Sequence, residues 1–496
     1  MTMQRSTPTA ESARAALPAA AAWIDGDWYL DTTGEVHTHI DPATGVELGT
    51  WTLPSVSDLD RAVSSTARAQ RAWIELSPRT RRDLLFALGQ QVDQHADTLA
   101  SLVTLEMGMP YRASRAAARA AADWFKHYAG YADKIEGTVP SVLRDGEGLD
   151  YTRCAPYGVV GAIIPWNGPV IALALKVAPA LAAGNGVVLK PSELAPFSSL
   201  YFASLVGRAG LPAGLVNVIP GGPEVGAALC NHLDIALVSF TGGGAAGQKV
   251  SEAAARRHIP TVLELGGKSA SIMFADADIA TAARMAAVLG TAQNSGQGCF
   301  LPTRLLVERS VYPGVVESII ATVENLRLGD PFDPAVAMGP VVNQAARERI
   351  LSLIVAARER GDGRLVAGGN CPGGELSSGS YIHPTVFVDV HPDSPLAQNE
   401  VFGPVLSVIP FDTEEEAISI ANNTRFGLAG YVWTRDLGRA HRVAAALEAG
   451  YVSVNSMAAL PPEAPFGGWK DSGRGVEGGR EGLGEFLRTK NVHVMW

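Results

Sequence analysis

The chain has 496 residues, 47% hydrophobic and 18% charged, with a formal net charge of −10. That length and apolar content suit a large globular enzyme of several domain-sized units. So acidic a chain repels phosphate backbones and offers no basic run to grip an anionic membrane, which argues against nucleic-acid and membrane partners.

Met1–Ala22 is alanine-rich and carries Glu11. It lacks a continuous apolar core, so residues 1–19 read as a flexible tail and not as a signal peptide. Ser55–Lys134 has helical spacing, with Leu59, Val63 and Ala67 and then Leu84, Leu85 and Leu88 recurring and Pro110 interrupting the run. Val170–Leu189 is the most apolar long stretch. Lys176, Pro179 and the Gly184-Asn185-Gly186 turn break it, so it reads as a buried helix, a turn and a strand instead of a membrane span.

From Tyr151 short β-prone runs alternate with helix-like stretches: Val159–Ile164, Val187–Leu189, Leu215–Ile219, Ala236–Phe240 and Thr261–Leu263. A second alternating region runs from Ser269 to Asn455, with strands expected at Arg304–Val307, Val405–Ile409 and Tyr451–Val454, and a helix at Ile279–Ala292. Alternation implies right-handed βαβ units and parallel sheets. The expected fold is therefore α/β, two doubly wound domains with a ligand cleft between them. The C-terminal Asn491–Trp496 is β-prone and should pair with Ser141–Arg153 or with that segment's copy in another subunit, unless it frays.

Cys154, Cys230, Cys299 and Cys371 lie far apart without a CxxC pair, so neither a disulfide framework nor a metal site is expected, and a reducing cytoplasm fits best. Cys299 follows Gly296-Gln297-Gly298 on a loop between a helix and a strand, where reactive groups are carried. A lone cysteine is more often a small buried hydrophobe. Glu264 ends an apolar strand before Gly266-Gly267, where apolar surroundings would raise its pKa toward that of a general base. In Pro165-Trp166-Asn167-Gly168-Pro169 the prolines fix a turn, and the Asn167 amide is available to a developing oxyanion. Gly242, Gly244 and Gly247 fit the dinucleotide fingerprint, glycines that let a pyrophosphate approach a helix N-terminus. Glu264 lies close to where that fingerprint expects a ribose-binding acid, so two roles compete for it.

In order and spacing, Pro165-Trp166-Asn167, Phe240-Thr241-Gly242, Glu264-Leu265-Gly266-Gly267-Lys268 and Gly296-Gln297-x-Cys299 resemble the aldehyde dehydrogenase superfamily. Lys190-Pro191-Ser192-Glu193, Glu400-Val401-Phe402-Gly403-Pro404, Asn422-Asn423-Thr424 and Pro465-Phe466-Gly467-Gly468 extend the resemblance from about Trp23 to Trp496. It implies Cys299 as nucleophile, Glu264 as general base, Asn167 with the Cys299 N–H as oxyanion donors, and Lys176 in proton relay. It implies an NAD site built from Ile164, Pro165, Trp166, Asn167, Lys190, Ser192, Glu193, Gly221, Phe240, Thr241, Gly242, Gly243, Leu265, Glu400 and Phe402. Glu193 would favour NAD over NADP by repelling a 2′-phosphate.

The implied domains are an NAD domain at 20–135 and 158–265, a catalytic domain at 266–475, and a bridging arm at 136–157 and 476–496 that makes a homo-oligomer, dimer or tetramer. Gly243 stands where the family often has serine. Gly168, Ala172, Leu175, Phe300, Ala458, Leu460 and Phe466 would line a substrate tunnel that is roomy and apolar, suited to a bulky or long apolar aldehyde. Rival readings are a CoA-acylating enzyme, a semialdehyde dehydrogenase, an esterase, and a non-enzymatic protein of the same fold.

Overall fold

The computed structural model describes all residues except 1–7, 19–20, 142–147 and 457–459. Its first sheet has eight strands in the order Asp27–Tyr29, Ala22–Ile24, Val216–Val218, Gly186–Lys190, Val159–Ile163, Ile235–Thr241, Thr261–Glu264 and Gly473–Arg474. The five central strands are parallel. Buried on both faces, they read as continuous apolar runs. In chain order these five run third, second, first, fourth, fifth, so the winding reverses between Val159–Ile163 and Ile235–Thr241. Ligands bind at such switch points, at the carboxyl ends of the strands. Pro165-Trp166-Asn167 and Gly242-Gly243 follow those two ends.

The second sheet runs Arg364–Ala367, Thr385–Val388, Val405–Phe411, Arg304–Glu308, Ala270–Met273, Ala429–Trp433 and Tyr451–Val454, parallel except for its first strand. Here the motif residues enter the strands: Gly266-Gly267 precede Ala270, Cys299 precedes Arg304, and Glu400–Phe402 precede Val405. The site therefore lies where the carboxyl ends of one sheet meet the amino ends of the other.

Four helices fill the Ser55–Lys134 region: Val56–Glu75, Pro78–Gln94, Ala96–Met107 and Tyr111–Ala129. Ser55 and Asp58 form a capping box, and Ser77 caps a helix that opens on Pro78. Gly108, left-handed at φ 77°, closes the third helix before Pro110. Helix Pro169–Ala182 is buried at every position but Ile171, and Lys176 is its one charged residue. No helix among the described residues is long and apolar enough to cross a membrane.

Four expectations need correction. Residues 1–19 are not a flexible tail throughout. Ala10–Arg14 is a helix with a Thr9–Ser12 capping box, and its buried Ala13 packs with Leu105 and Phe332. Gly473–Arg474, expected within the second domain, pairs antiparallel with Leu263 and Glu264 and closes the edge of the first sheet. The helix expected at Ile279–Ala292 is α-helical only to Ala287. A wide turn at Val288–Ala292 and a tight one at Gln293–Gly296 follow, because Asn294 and Ser295 are left-handed (φ 48° and 53°). The C-terminal strand is longer than expected: Leu487–Met495 pairs antiparallel with Gly148–Pro156 of the same chain.

Candidate active site

Cys299 is half-buried on the loop after Gly296. Its sulfur faces its own N–H and that of Phe300, donors that favour a thiolate. Burial, followed by the charges of Glu400 and Glu264, outweighs them and pushes the thiol well above its usual range. The loop shape is held from outside. Asn294 donates to the Asn167 carbonyl at 2.8 Å and to that of Gln297 at 2.9 Å. The Gln297 side chain accepts the Val342 N–H at 3.0 Å and donates to the Asn294 carbonyl at 3.2 Å. These bonds offset the strain of two consecutive left-handed residues.

Asn167 reaches the same loop, its amide donating to the Gln297 carbonyl at 3.0 Å. Gly267 packs so closely that any side chain there would strike the Cys299 carbonyl oxygen. The Gly267 N–H donates to Glu400 at 3.1 Å, and a Cβ on Gly266 would sit 2.5 Å from the same carboxylate. At Gly267 only glycine fits against fixed backbone; a side chain at Gly266 would displace the Glu400 carboxylate.

Glu264 is buried, and neither carboxylate oxygen has a well-formed hydrogen bond among the described residues, the Gly468 N–H being its one nearby donor. Burial, reinforced by the charge of Glu477, holds its pKa well above the carboxylate range; Lys176 and the Gly468 N–H act against this. An unpartnered buried carboxyl is costly in a fold, and it is the state a general base needs to accept a proton near neutrality. Lys176 is buried, with its ammonium 2.6 Å from Glu477 and 3.1 Å from the Ser239 hydroxyl. Its charge also reaches Glu264.

A dinucleotide fits the first-sheet edge. Helix Gly244–Ala255 has no side-chain cap, and a Cβ built on Gly243 or Gly244 meets nothing within 4 Å, so its first N–H groups face open space. Gly247 lies against Leu265, whose own N–H is fixed by the Ser472 carbonyl. Phe240 ends its strand beside Thr241 and Gly242. Along the edge, Ser192 bridges to Gly221, Lys190 lies 3.9 Å from Glu193, and the Ile164 N–H donates to the Lys190 carbonyl. Trp166, next to Pro165, meets Phe402 edge to face at 5.5 Å, joining the two sheets' loops. Burial, opposed by the Gly267 N–H and by Lys268, Arg349 and Arg425, raises the pKa of Glu400.

Of the residues expected on a tunnel, Phe300 and Phe466 meet at right angles at 6.4 Å, and the Phe300 carbonyl accepts from the Tyr431 hydroxyl at 2.7 Å. Gly168 opens helix Pro169–Ala182, and Ala172 and Leu175 are buried on it. The Leu460 carbonyl accepts the Trp124 indole N–H at 3.2 Å. Ala458 lies outside the described residues. Sequence reasoning missed Glu477, Ser239, Asn294 and Trp124, which local pattern does not mark. No cluster of metal-ligating side chains occurs among the described residues.

The aldehyde dehydrogenase family model matches residues 28–492. A betaine aldehyde dehydrogenase of Agrobacterium fabrum is 40% identical over 485 residues, 97% of each chain. The structure of betaine aldehyde dehydrogenase from Staphylococcus aureus with NAD+ superposes with a TM-score of 0.95 at 34% identity, covering 98% of this chain and 97% of that one. Indole-3-acetaldehyde dehydrogenase of P. syringae, also solved with NAD+, gives a TM-score of 0.94 at 37% identity over 99% of this chain and 100% of that one. With sheets, loops and motif residues in this arrangement, the chain belongs to the aldehyde dehydrogenase family, oxidoreductases that act on aldehydes with NAD.

Proposed function

We propose that the protein oxidises an apolar aldehyde to its carboxylic acid through a covalent intermediate on Cys299. The observation that carries this reading is the convergence of three distant segments on the Cys299 loop: the Asn167 amide bonds the Gln297 carbonyl, the Gly267 turn abuts the Cys299 carbonyl, and the buried Glu264 carboxyl acts on the thiol through its charge. The Cys299 thiol gives up its proton to solvent water, the thiolate adds to the carbonyl carbon, and the resulting oxyanion is held by the Asn167 amide and a backbone N–H. Bound NAD supplies the hydride acceptor. Loss of hydride leaves a thioester on Cys299. Glu264 takes a proton from water as its oxygen attacks the thioester carbon, the C–S bond breaks, and the acid leaves. Lys190, Ser192 and Glu193 would hold the adenine ribose, Gly221 and Phe240–Gly243 the pyrophosphate side, and Glu400 and Phe402 the nicotinamide half. The Glu193 carboxylate accepts from ribose hydroxyls and repels a 2′-phosphate, so NAD is preferred to NADP.

Gly168, Ala172, Leu175, Leu460, Phe300 and Phe466 are small or apolar, and such a wall favours an aromatic or long aliphatic aldehyde. A carboxylated semialdehyde would want a cation there. A second reading, betaine aldehyde, draws on the relatives' names and on the Phe300, Phe466 and Tyr451 rings, which could face a quaternary ammonium. The deciding experiment follows NADH formation across aliphatic, aromatic, carboxylated and quaternary-ammonium aldehydes, with NAD and NADP, and with Cys299→Ala as control. Highest kcat/KM with an apolar aldehyde and NAD, abolished in the variant, is the expected result. Succinic semialdehyde or betaine aldehyde as the best substrate would overturn the apolar reading.

The Gly148–Pro156 and Leu487–Met495 ribbon exposes Leu149, Val494 and Met495. We assign it to assembly of a homo-oligomer, since an edge ribbon with apolar side chains seeks a partner.

A further inference from the structure

We propose that Ser239 is a positioning residue: its hydroxyl, with Glu477, fixes the Lys176 ammonium where its charge reaches Glu264 and so tunes the base that hydrolyses the acyl intermediate. The inference deepens the function proposed above and rests on it.

Ser239 lies in strand Ile235–Thr241, in register with Ala162 on one side and Val262 on the other. Side chains alternate along a strand, so Ser239 shares a face with Leu237. That residue packs in the apolar core containing Val177, Ala180 and Leu181 of helix Pro169–Ala182. Val238 and Phe240 belong to the core on the opposite face. Ser239 is thus a hydroxyl in an apolar layer, wholly buried, and such a group is retained only where it is bonded. Its bond is to Lys176, at 3.1 Å.

An ammonium has three N–H groups. Glu477 takes one at 2.6 Å and Ser239 takes another. With only Glu477 as partner, the ammonium would be free to pivot about that one contact. Two acceptors on different segments, the strand and the Glu477 loop, fix the nitrogen instead. Its positive charge then acts on Glu264, which otherwise faces burial and the negative charge of Glu477. The charged and titratable groups around this set are Lys176, Glu477, Glu264 and Cys299, together with Tyr128, which faces Glu477. Removing the Ser239 hydroxyl leaves Lys176 free to pivot on Glu477 and take its charge away from Glu264, so Glu264 keeps its proton to higher pH. Hydrolysis then needs a higher pH, while formation of the acyl-enzyme, which feels Glu264 only as the third and smaller influence on the Cys299 thiol, changes much less.

The test uses the intact protein with p-nitrophenyl acetate, which acylates a reactive cysteine without needing the right aldehyde. Stopped-flow absorbance gives the p-nitrophenol burst (acylation) and the following steady rate (deacylation), from pH 5.5 to 9.5. Ser239→Ala should move the midpoint of the deacylation profile upward by about 0.5–1 pH unit, the effect of losing one hydrogen bond. The burst should stay within about twofold, the scale of a secondary effect, and Ser239→Thr, which restores the hydroxyl, should return the midpoint. An unmoved midpoint in Ser239→Ala, or the same shift in Ser239→Thr, overturns the role of Ser239. Absence in the wild type of a burst that depends on Cys299 is a different result and refutes the covalent reading on which the proposal rests.

Discussion

The Asn167 side-chain amide donates to the Gln297 carbonyl across 3.0 Å, linking the loop after the central strand of the first sheet to the loop that presents Cys299. One N–H of that amide is committed to the link, and the other is available for the oxyanion. Asn167→Ala removes both the link and the donor. We expect kcat to fall by about 10²–10³-fold, the scale for one oxyanion donor, with NAD affinity changed by less than tenfold. Steady-state kinetics beside a fluorescence titration of NAD separates these effects. A kcat within threefold of wild type would remove Asn167 from the chemistry.

Glu264→Gln keeps the size of a buried side chain while abolishing its basicity. Thioester formation does not need it, so the variant should release one equivalent of NADH per site and then stall. The steady rate should be lower by about 10²–10⁴-fold, the usual range for a general base. Rapid-quench or stopped-flow NADH absorbance reads both phases. Because burial raises the Glu264 pKa, the wild-type steady rate should climb with pH as the carboxyl ionises. A variant without a burst would place Glu264 before hydride transfer.

How far such arguments could start from sequence depends on whether a feature is local. The central strands were visible because a parallel strand buried on both faces is apolar throughout, as Val159–Ile163 and Gly186–Lys190 are. Cys299, Asn167 and Gly267 sit beside glycines, and Glu400 three residues before Gly403-Pro404, whose geometry leaves a mark in the chain. Glu477 leaves none, since it becomes a buried partner of Lys176 only when the C-terminal segment returns to the first sheet. Gly473–Arg474 is two residues long, too short to carry a period. Helix Ala10–Arg14 depends on docking of Ala13, a tertiary event.

Gly243 leaves the N-terminus of helix Gly244–Ala255 uncapped and opens onto empty space. Gly243→Ser adds a hydroxyl that can meet a pyrophosphate oxygen, and its backbone angles, φ −70° and ψ 148°, suit any residue. One added hydrogen bond, about 1 kcal/mol, should tighten NAD binding about fivefold. Quenching of intrinsic fluorescence gives the Kd; weaker binding would mean that the phosphate approaches too closely for a side chain.

Deleting Leu487–Trp496 removes one of the two strands of the exposed ribbon and leaves both large sheets intact. The truncated protein should be monomeric by multi-angle light scattering and retain its far-UV circular dichroism. An unchanged oligomer would move the assembly surface elsewhere.

Glu106 gives the fold its own pH dependence, away from the chemistry. It is buried and accepts from the Ser198 hydroxyl and, at 2.7 Å, from the Phe197 N–H at the start of helix Phe197–Arg208. These donors favour the carboxylate, but burial outweighs them and pushes its pKa up from 4.5 to about 7. The folded state therefore holds a proton that the unfolded chain has lost between these values. The sign follows: the contribution of Glu106 to stability is greatest below about 4.5, declines as pH rises toward 7, and levels off above, a change of about 3 kcal/mol at most. Glu106→Gln cannot ionise, and Ser198 can turn its hydroxyl to accept from the new amide. The variant should lose that part of the slope, becoming more stable relative to wild type at pH 8 than at pH 5. Urea unfolding at the two pH values measures the difference; an identical slope in both proteins would show that Glu106 ionises normally in the fold.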